Sequence, residues 1–239
     1  MPAAGVSMVG GMMFADRQDA GRRLAARLRG KHFPRPVVLA LPRGGVPVGF
    51  EVAEALAAPL DLVLVRKIGA PMQEELAIGA VADGAPPEVV TDPNLIAYLG
   101  VPDGYIAQAT AAALQEIARR RQVYRHGRAP VDVAGCTAIL VDDGLATGAT
   151  MRAALRATRR RHPARLVLAV PVAPTDSLDR MQGEADDVIC LHPAETFEGV
   201  GGFYRDFRQL GDGEVTALLD RAPYQPQPPP QPPQPPPQP

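Results

Sequence analysis

The chain has 239 residues, enough for one domain with a substantial core, and its formal charge of −1 argues against a general affinity for nucleic acid or an anionic membrane. Two cysteines and four histidines show no metal-ligand or disulfide spacing, and no apolar run approaches the roughly 20 residues of a membrane span. The first residues, MPAAGVSMVGGMMF, carry no basic residue ahead of a weakly apolar stretch, so they read as a poor signal peptide with Met8, Met12 and Met13 as equally good starts, and the chain is expected in the cytoplasm.

Asp16 is placed to cap a helix through about Arg29, with Ala20, Leu24 and Leu28 on one face and Gly30 as its stop. Residues 37–41 read as an all-apolar buried strand, followed by Pro42-Arg43-Gly44-Gly45 and a helix from about 46 to 57. A second core strand, about 61–66, runs into Arg66-Lys67-Ile68-Gly69 and the polar run 73–75, which suits a loop that moves. Short strands at 77–81 and 88–91 flank Asp83-Gly84 and Pro86-Pro87 turns and form a hairpin. A short helix follows Asp92-Pro93. Asp103 is expected to cap a long helix to about Tyr124, with Ile106, Ala113, Leu114 and Ile117 inward and Glu116–Arg120 as an outward i,i+4 pair.

Residues 138–150, AILVDDGLATGAT, then place a buried strand, two adjacent carboxylates, a Gly- and Thr-rich loop and the start of an amphipathic helix running to about 161. Strands at 166–170 and 187–191 complete a series that alternates with helices, which argues for a parallel sheet with right-handed crossovers. The arginines at 119–121 and 159–161 lie near helix C-termini, where the helix dipole explains them. Eleven of the last seventeen residues, 223–239, are proline and most of the rest glutamine, so this tail reads as extended and unpacked. It is a spacer or dispensable, although PxxP spacing permits docking to an SH3- or WW-like partner.

The chemistry concentrates at 138–150. In open α/β sheets ligands bind beyond the carboxyl ends of the strands. A helix N-terminus presents free N–H groups and partial positive charge to a phosphate, and carboxylates accept hydrogen bonds from sugar hydroxyls. Side by side they suit a sugar phosphate; the bland alternative is a strand–turn–helix whose Asp pair only caps the helix. Gly44-Gly45 can converge backbone N–H groups on an anion, and Arg43 adds a fork suited to phosphate oxygens.

This stretch resembles the signature of the type I phosphoribosyltransferases, with Thr147, Gly148 and Thr150 matching and Ala149 replacing the usual glycine. The order of segments from 37 to 191, and the flanking segments 14–28 and 197–209, look like a subgroup of uncharacterised predicted phosphoribosyltransferases. The resemblance implies a type I phosphoribosyltransferase-like α/β core over 14–222: a mainly parallel sheet flanked by helices, with a small hood from the terminal segments. Residues 1–13 would be a flexible N-terminus. It further implies that Asp142 and Asp143 hold the ribose hydroxyls of phosphoribosyl pyrophosphate (PRPP). Gly144, Leu145, Ala146, Thr147, Gly148, Ala149 and Thr150 would hold its 5′-phosphate, and Arg43, Gly44 and Gly45 its pyrophosphate. Arg66 and Lys67 match a mobile loop that reaches the pyrophosphate; read without the resemblance, they are a solvated charged loop. Lys67, Asp142 and Asp143 are the implied catalytic residues, and Mg²⁺ would touch Asp142 or Asp143 directly or through water.

The acceptor is selected in this family by the hood, where 197–207 holds three of the six phenylalanines. Phe197 is the nearest candidate for stacking on an acceptor; the alternative is an aromatic cluster packed on the sheet edge. The expected activity is Mg²⁺-dependent transfer of 5-phosphoribosyl from PRPP to a nitrogenous acceptor such as a nucleobase, with a homodimer implied by resemblance. A non-catalytic PRPP sensor on the same fold is the second reading. A receiver-like phosphoacceptor domain, suggested by the phrase LVDD, ranks third because its acidic pair would follow the first strand.

Overall fold

The computed structural model describes residues 13–84, 86–126 and 128–222. The expectations for the N-terminal segment (Met13 apart) and for the tail 223–239 lie outside these residues. In chain order the elements are α1 (Arg17–Arg29), β1 (Pro36–Ala40), α2 (Gly45–Leu56), β2 (Leu60–Leu62), β3 (Val65–Ala70), β4 (Gln73–Ala82), β5 (Glu88–Thr91), α3 (Pro93–Leu99), α4 (Tyr105–Arg125), β6 (Thr137–Val141), α5 (Ala149–Arg159), β7 (Arg165–Pro174), α6 (Thr175–Met181), β8 (Asp187–Ala194), a 3-10 turn (Val200–Phe203) and α7 (Asp212–Arg221).

Strands β2-β1-β6-β7-β8, in that order, form a wholly parallel sheet. Its central strand β6 is buried throughout, as an uninterrupted apolar run requires. Val38, Ala40, Ile139 and Val141 pack with α1, α2, α4 and α7 on one face. Val37, Leu39, Ala138 and Leu140 pack with α5 and α6 on the other. The α/β architecture expected from the alternation of strands and helices is therefore present. Asp16 caps α1 by accepting a 2.7 Å bond from Asp19 N, and that helix ends at Gly30.

Strands β3-β4-β5 form a second, antiparallel sheet. Ile68, Ala70 and Ile78 pack against α3 and α4 on one side, while Val65, Ala80 and Ala82 pack against α5 on the other. This corrects two expectations. The apolar run at 61–66 is not one strand: β2 ends at Leu62, and Val65 begins β3 in a different sheet. The loop expected after Arg66 is instead a hairpin, because Ile68 and Ile78 have a buried face to fill and anchor the pairing Lys67↔Ala80 and Ile68↔Gly79. Its tip at Pro71-Met72 and the start of β4 stand out, with Met72 fully exposed at φ 63°.

Further differences are local. Asp103 does not cap α4; it is exposed, and Gly104 at φ 81° takes the N-cap after a turn closed by Tyr105 N to Pro102 O. Strands β7 and β8 run on to Pro174 and Ala194, past the expected ends near 170 and 191. There Val172 and Ala194 join Phe14, Ala20 and Tyr204 in a small core under the terminal segments. Phe14 bridges Tyr204, so the segment before α1 and the segment after β8 meet above the carboxyl ends of β6 and β7 as a hood.

Candidate functional site

Two loops and the hood converge where β1 and β6 end. Leu41 N donates to Val141 O, and the backbone then turns through Pro42-Arg43, joined by a cis peptide bond, into Gly44 and α2. The two glycines are demanded by proximity. A Cβ on Gly44 would lie 2.0 Å from Asp143 Oδ2, and one on Gly45 would lie 2.7 Å from Val141 O and 2.9 Å from Asp142 Cα. No side chain fits at either place, so the turn after β1 rests directly on the acidic end of β6.

Asp142 and Asp143 follow the last residue of β6. Asp142 Oδ1 accepts a 2.8 Å bond from Asp143 N, and Asp143 Oδ2 accepts a 2.7 Å bond from Arg17 Nε. The Arg17 guanidinium is held in turn: Nη1 donates to Arg208 O at 2.9 Å, and its carbon sits 3.9 Å from the Phe207 ring centroid. The Tyr204 hydroxyl donates to Asp143 O. Burial first, and the neighbouring Asp143 charge second, push the Asp142 carboxyl well above the usual carboxylate range. Asp143 is pushed the same way by burial and opposed by Arg17.

The loop at 144–150 leads into α5. Gly148, at φ 80°, occupies the N-cap position, and Ala149 begins the helix without a positive φ, so the alanine in place of glycine is accommodated. The first turn of α5 leaves N–H groups without intrahelical partners. The loop is held from outside by Leu145 N donating to Val172 O at 2.9 Å and by Ser177 Oγ donating to Ala146 O at 2.6 Å. The hood covers it closely, since a Cβ on Gly144 would lie 2.5 Å from Val200 Cγ1. Two helix starts, of α2 and α5, therefore flank a carboxylate pair under a partial cover, an arrangement suited to an anion on either side of a polyhydroxyl group.

Arg43, Gly44, Gly45, Asp142, Asp143 and the loop 144–150 thus lie at one edge of the sheet. The Arg43 guanidinium is 3.7 Å from Asp212 Oδ1 in the first turn of α7, and Asp212 also accepts a 2.5 Å bond from the Tyr124 hydroxyl. Arg66 and Lys67 lie on β3, Arg66 half-buried and Lys67 exposed. Phe197 is half-buried and stacks on Phe203 at 5.6 Å between centroids, within the small core under the hood. Sequence reasoning missed Arg17, Ser177 and Asp212, and held Val200 and Tyr204 only as members of the hood segment 197–207. Among the described residues no group of three or more His, Cys, Asp or Glu forms a metal cage, and no helix is long and apolar enough to cross a membrane.

Comparison with known proteins gives the family and the fold. A model of the phosphoribosyl transferase domain matches residues 14–208. The Mycobacterium tuberculosis protein Rv0571c (strain ATCC 25618 / H37Rv), whose name assigns it provisionally to the phosphoribosyl transferases, is 46% identical over 211 residues, covering 88% of this chain and 47% of the relative. MT0597 of M. tuberculosis strain CDC 1551 / Oshkosh, of the same provisional name, matches with the same figures. The chain thus spans about half the length of the curated relatives it matches. The crystal structure of TT1426 from Thermus thermophilus superimposes with a TM-score of 0.75 at 41% identity, over 88% of this chain and 99% of that one.

Proposed function

Because the chain belongs to the phosphoribosyl transferase domain family, we propose that it transfers the 5-phosphoribosyl group of PRPP to a nitrogenous acceptor, such as a nucleobase, with release of pyrophosphate. The observation that carries this reading is the contact of Gly44 with Asp143, which makes the Arg-Gly-Gly turn, the carboxylate pair and the start of α5 parts of one site. In it, Arg43, Gly44 and Gly45 receive the pyrophosphate, with Lys67 and Arg66 reaching toward it from β3. Asp142 and Asp143 accept the ribose hydroxyls, and 144–150 cradle the 5′-phosphate.

In the reaction the bond from C1 to a pyrophosphate oxygen breaks as the bond from the acceptor nitrogen to C1 forms, through an oxocarbenium-like centre related to that of glycoside hydrolysis. Arg43 and Lys67 meet charge that grows on the departing oxygen. The Asp pair fixes the ribose so that C1 faces the acceptor, and Val200 and Tyr204 in the hood limit access of water. Magnesium would suit this donor set: it takes only one or two protein carboxylates, and the Asp143 charge acting on the buried Asp142 carboxyl is one that a cation would relieve. Those two residues would hold it, directly or through water, and it would supply charge neutralisation for the leaving group. Phe197 is the candidate for contact with the acceptor. The proposal carries with it a cytoplasmic location and a homodimeric assembly.

Calorimetric titration of the full chain with PRPP and Mg²⁺ tests it, alongside the Asp142→Asn/Asp143→Asn variant. Saturable binding that disappears in the variant, followed by pyrophosphate release with one of a panel of bases and amines, is expected. Binding without release from any acceptor would turn the reading to a PRPP sensor. No binding by the wild type would overturn both.

A further inference from the structure

A second cavity lies away from the site just described and shares no residue with it. It opens between the C-terminal half of α4, the link from β2 to β3, the turn after β4 and the C-terminal end of α5, and its volume is about 730 Å³. That is the size of a cofactor or nucleotide pocket. Its lining holds five arginines against one aspartate, Asp83.

Four of these arginines have acidic partners. Arg121 pairs with Asp83, Arg125 with Asp61 at 3.5 Å, Arg128 with Asp220 at 2.6 Å and Arg160 with Glu88. Arg161 differs. It donates to Val131 O, and among the described residues no carboxylate lies within ion-pair distance of it. Burial works against its positive charge, offset in part by the more distant Asp61, Asp132 and Asp83 and aggravated by Arg125, and an anion in direct contact would relieve the remaining cost. A second observation points the same way. Thr158, 1% exposed, lines the cavity with a hydroxyl that has no hydrogen-bond partner, and Arg125 Nε is likewise buried and unpaired. Buried polar atoms normally have partners, and these two lie just beneath the lining, so a polar ligand would supply them as the neighbouring guanidiniums turn toward it.

We propose that this cavity binds a nucleoside polyphosphate. A lone phosphate would fill a small part of the volume and meet few of the guanidiniums, whereas a chain of phosphates engages several forks at once. Pro86 and Pro130 supply an exposed apolar wall for the base. The cavity sits at the C-terminal end of the helix whose N-terminus carries loop 144–150, roughly 16 Å away along eleven residues. The proposal does not rest on the PRPP reading.

The test is calorimetric titration of the full chain with ATP and, separately, with inorganic tripolyphosphate, in the presence and absence of PRPP. ATP is expected to bind one per chain, more tightly than tripolyphosphate, and PRPP should leave that affinity unchanged. Thr158→Val should weaken ATP by about fivefold while leaving the melting temperature equal or higher, because it deletes an unpaired hydroxyl. Arg161→Gln should weaken it by about tenfold or more. If that variant does not fold, Arg121→Gln, whose side chain is 48% exposed, takes its place. Absence of saturable ATP binding, displacement of ATP by PRPP, or unchanged affinity in the cavity variants would each overturn the proposal. Equal affinity for tripolyphosphate would overturn the nucleoside part of it. PRPP titrated into the cavity variants reports separately on the site at Asp142 and Asp143.

Discussion

The two ends of α5 face anion-directed surroundings that are made in different ways. At its N-terminus the surroundings are close-fitting glycine turns: Gly44, Gly45, Gly144 and Gly148 each stand where a Cβ would come within 3 Å of a neighbouring atom, backbone at Gly45 and the side chains of Asp143, Val200 and Met181 at the others. At its C-terminus they are side chains, arginines contributed by α4 and by the segments that follow α4 and α5. At Gly45 the crowding atoms are backbone and cannot give way, at Gly44 they are the Asp143 carboxylate itself, and at Gly148 a φ of 80° adds strain to any side chain. A lining of long guanidiniums can lose one member and keep its shape. The difference predicts where substitutions hurt.

The largest effect should come from Gly44→Ala. Its methyl would displace the Asp143 carboxylate, and a misplacement of about 1 Å in a reacting geometry costs about a hundredfold in kcat/KM. Thr158→Val, at the other end of the same helix, should change PRPP-dependent turnover by less than about twofold. Steady-state kinetics on both variants checks the contrast, and equal losses would dissolve it. Next in size is Arg17→Gln. Arg17 and Asp143 side chains are 11% and 13% exposed, so the change leaves a nearly buried carboxylate without its cation, at a cost of about 3 kcal/mol in urea denaturation. Adding Asp143→Asn should restore most of that loss. Failure to restore it would mean that Arg17 acts through its stacking on Phe207 instead.

Asp142→Asn should have a smaller and opposite effect on stability. The Asp142 carboxyl is raised by burial and by Asp143, so it holds its proton to higher pH in the folded state than in the unfolded one. Its contribution to stability therefore falls as pH rises from the unfolded value, near 3.8, through the raised folded value, and it remains a cost at neutral pH. The asparagine variant should lack that part of the pH slope and melt at an equal or higher temperature at pH 7, while binding PRPP about tenfold more weakly or worse. Denaturation from pH 4 to pH 8 separates the two effects.

How much of this was legible in the sequence follows from the same distinction. The strand, carboxylate pair and glycine loop at 138–150 are contiguous, so the order of residue types carried both the fold class and the placement of the site. The Arg43-Gly44-Gly45 turn was readable for the same reason. Arg17 was not: it follows the Asp16 cap like any polar residue in a first helical turn, and its partner Asp143 is 126 residues away. The split of 61–66 between two sheets was hidden because Val63 and Leu64 are apolar and buried like the strand residues beside them. A signal for α6 was present but masked, since Pro171 and Pro174 suggest an early end to β7 rather than a helix start. Helix α7 had a cue in Glu214, whose side chain accepts from Gly211 N at 3.0 Å.

The smallest expected effect isolates what α6 does for the loop. Ser177 is 4% exposed and donates to the carbonyl of Ala146, an exposed residue. Ser177→Ala removes the donor, but water can reach the freed carbonyl, so the cost should fall near the low end for a hydrogen bond, about 1 kcal/mol. The loop is expected to hold the 5′-phosphate equally before and during transfer, so KM for PRPP should rise about fivefold with kcat unchanged. A fall in kcat with KM unchanged would place the loop's contribution in the transition state instead. A lower melting temperature with both constants intact would mean that the bond from Leu145 N to Val172 O holds the loop alone, and that α6 serves only the core around Leu178 and Met181.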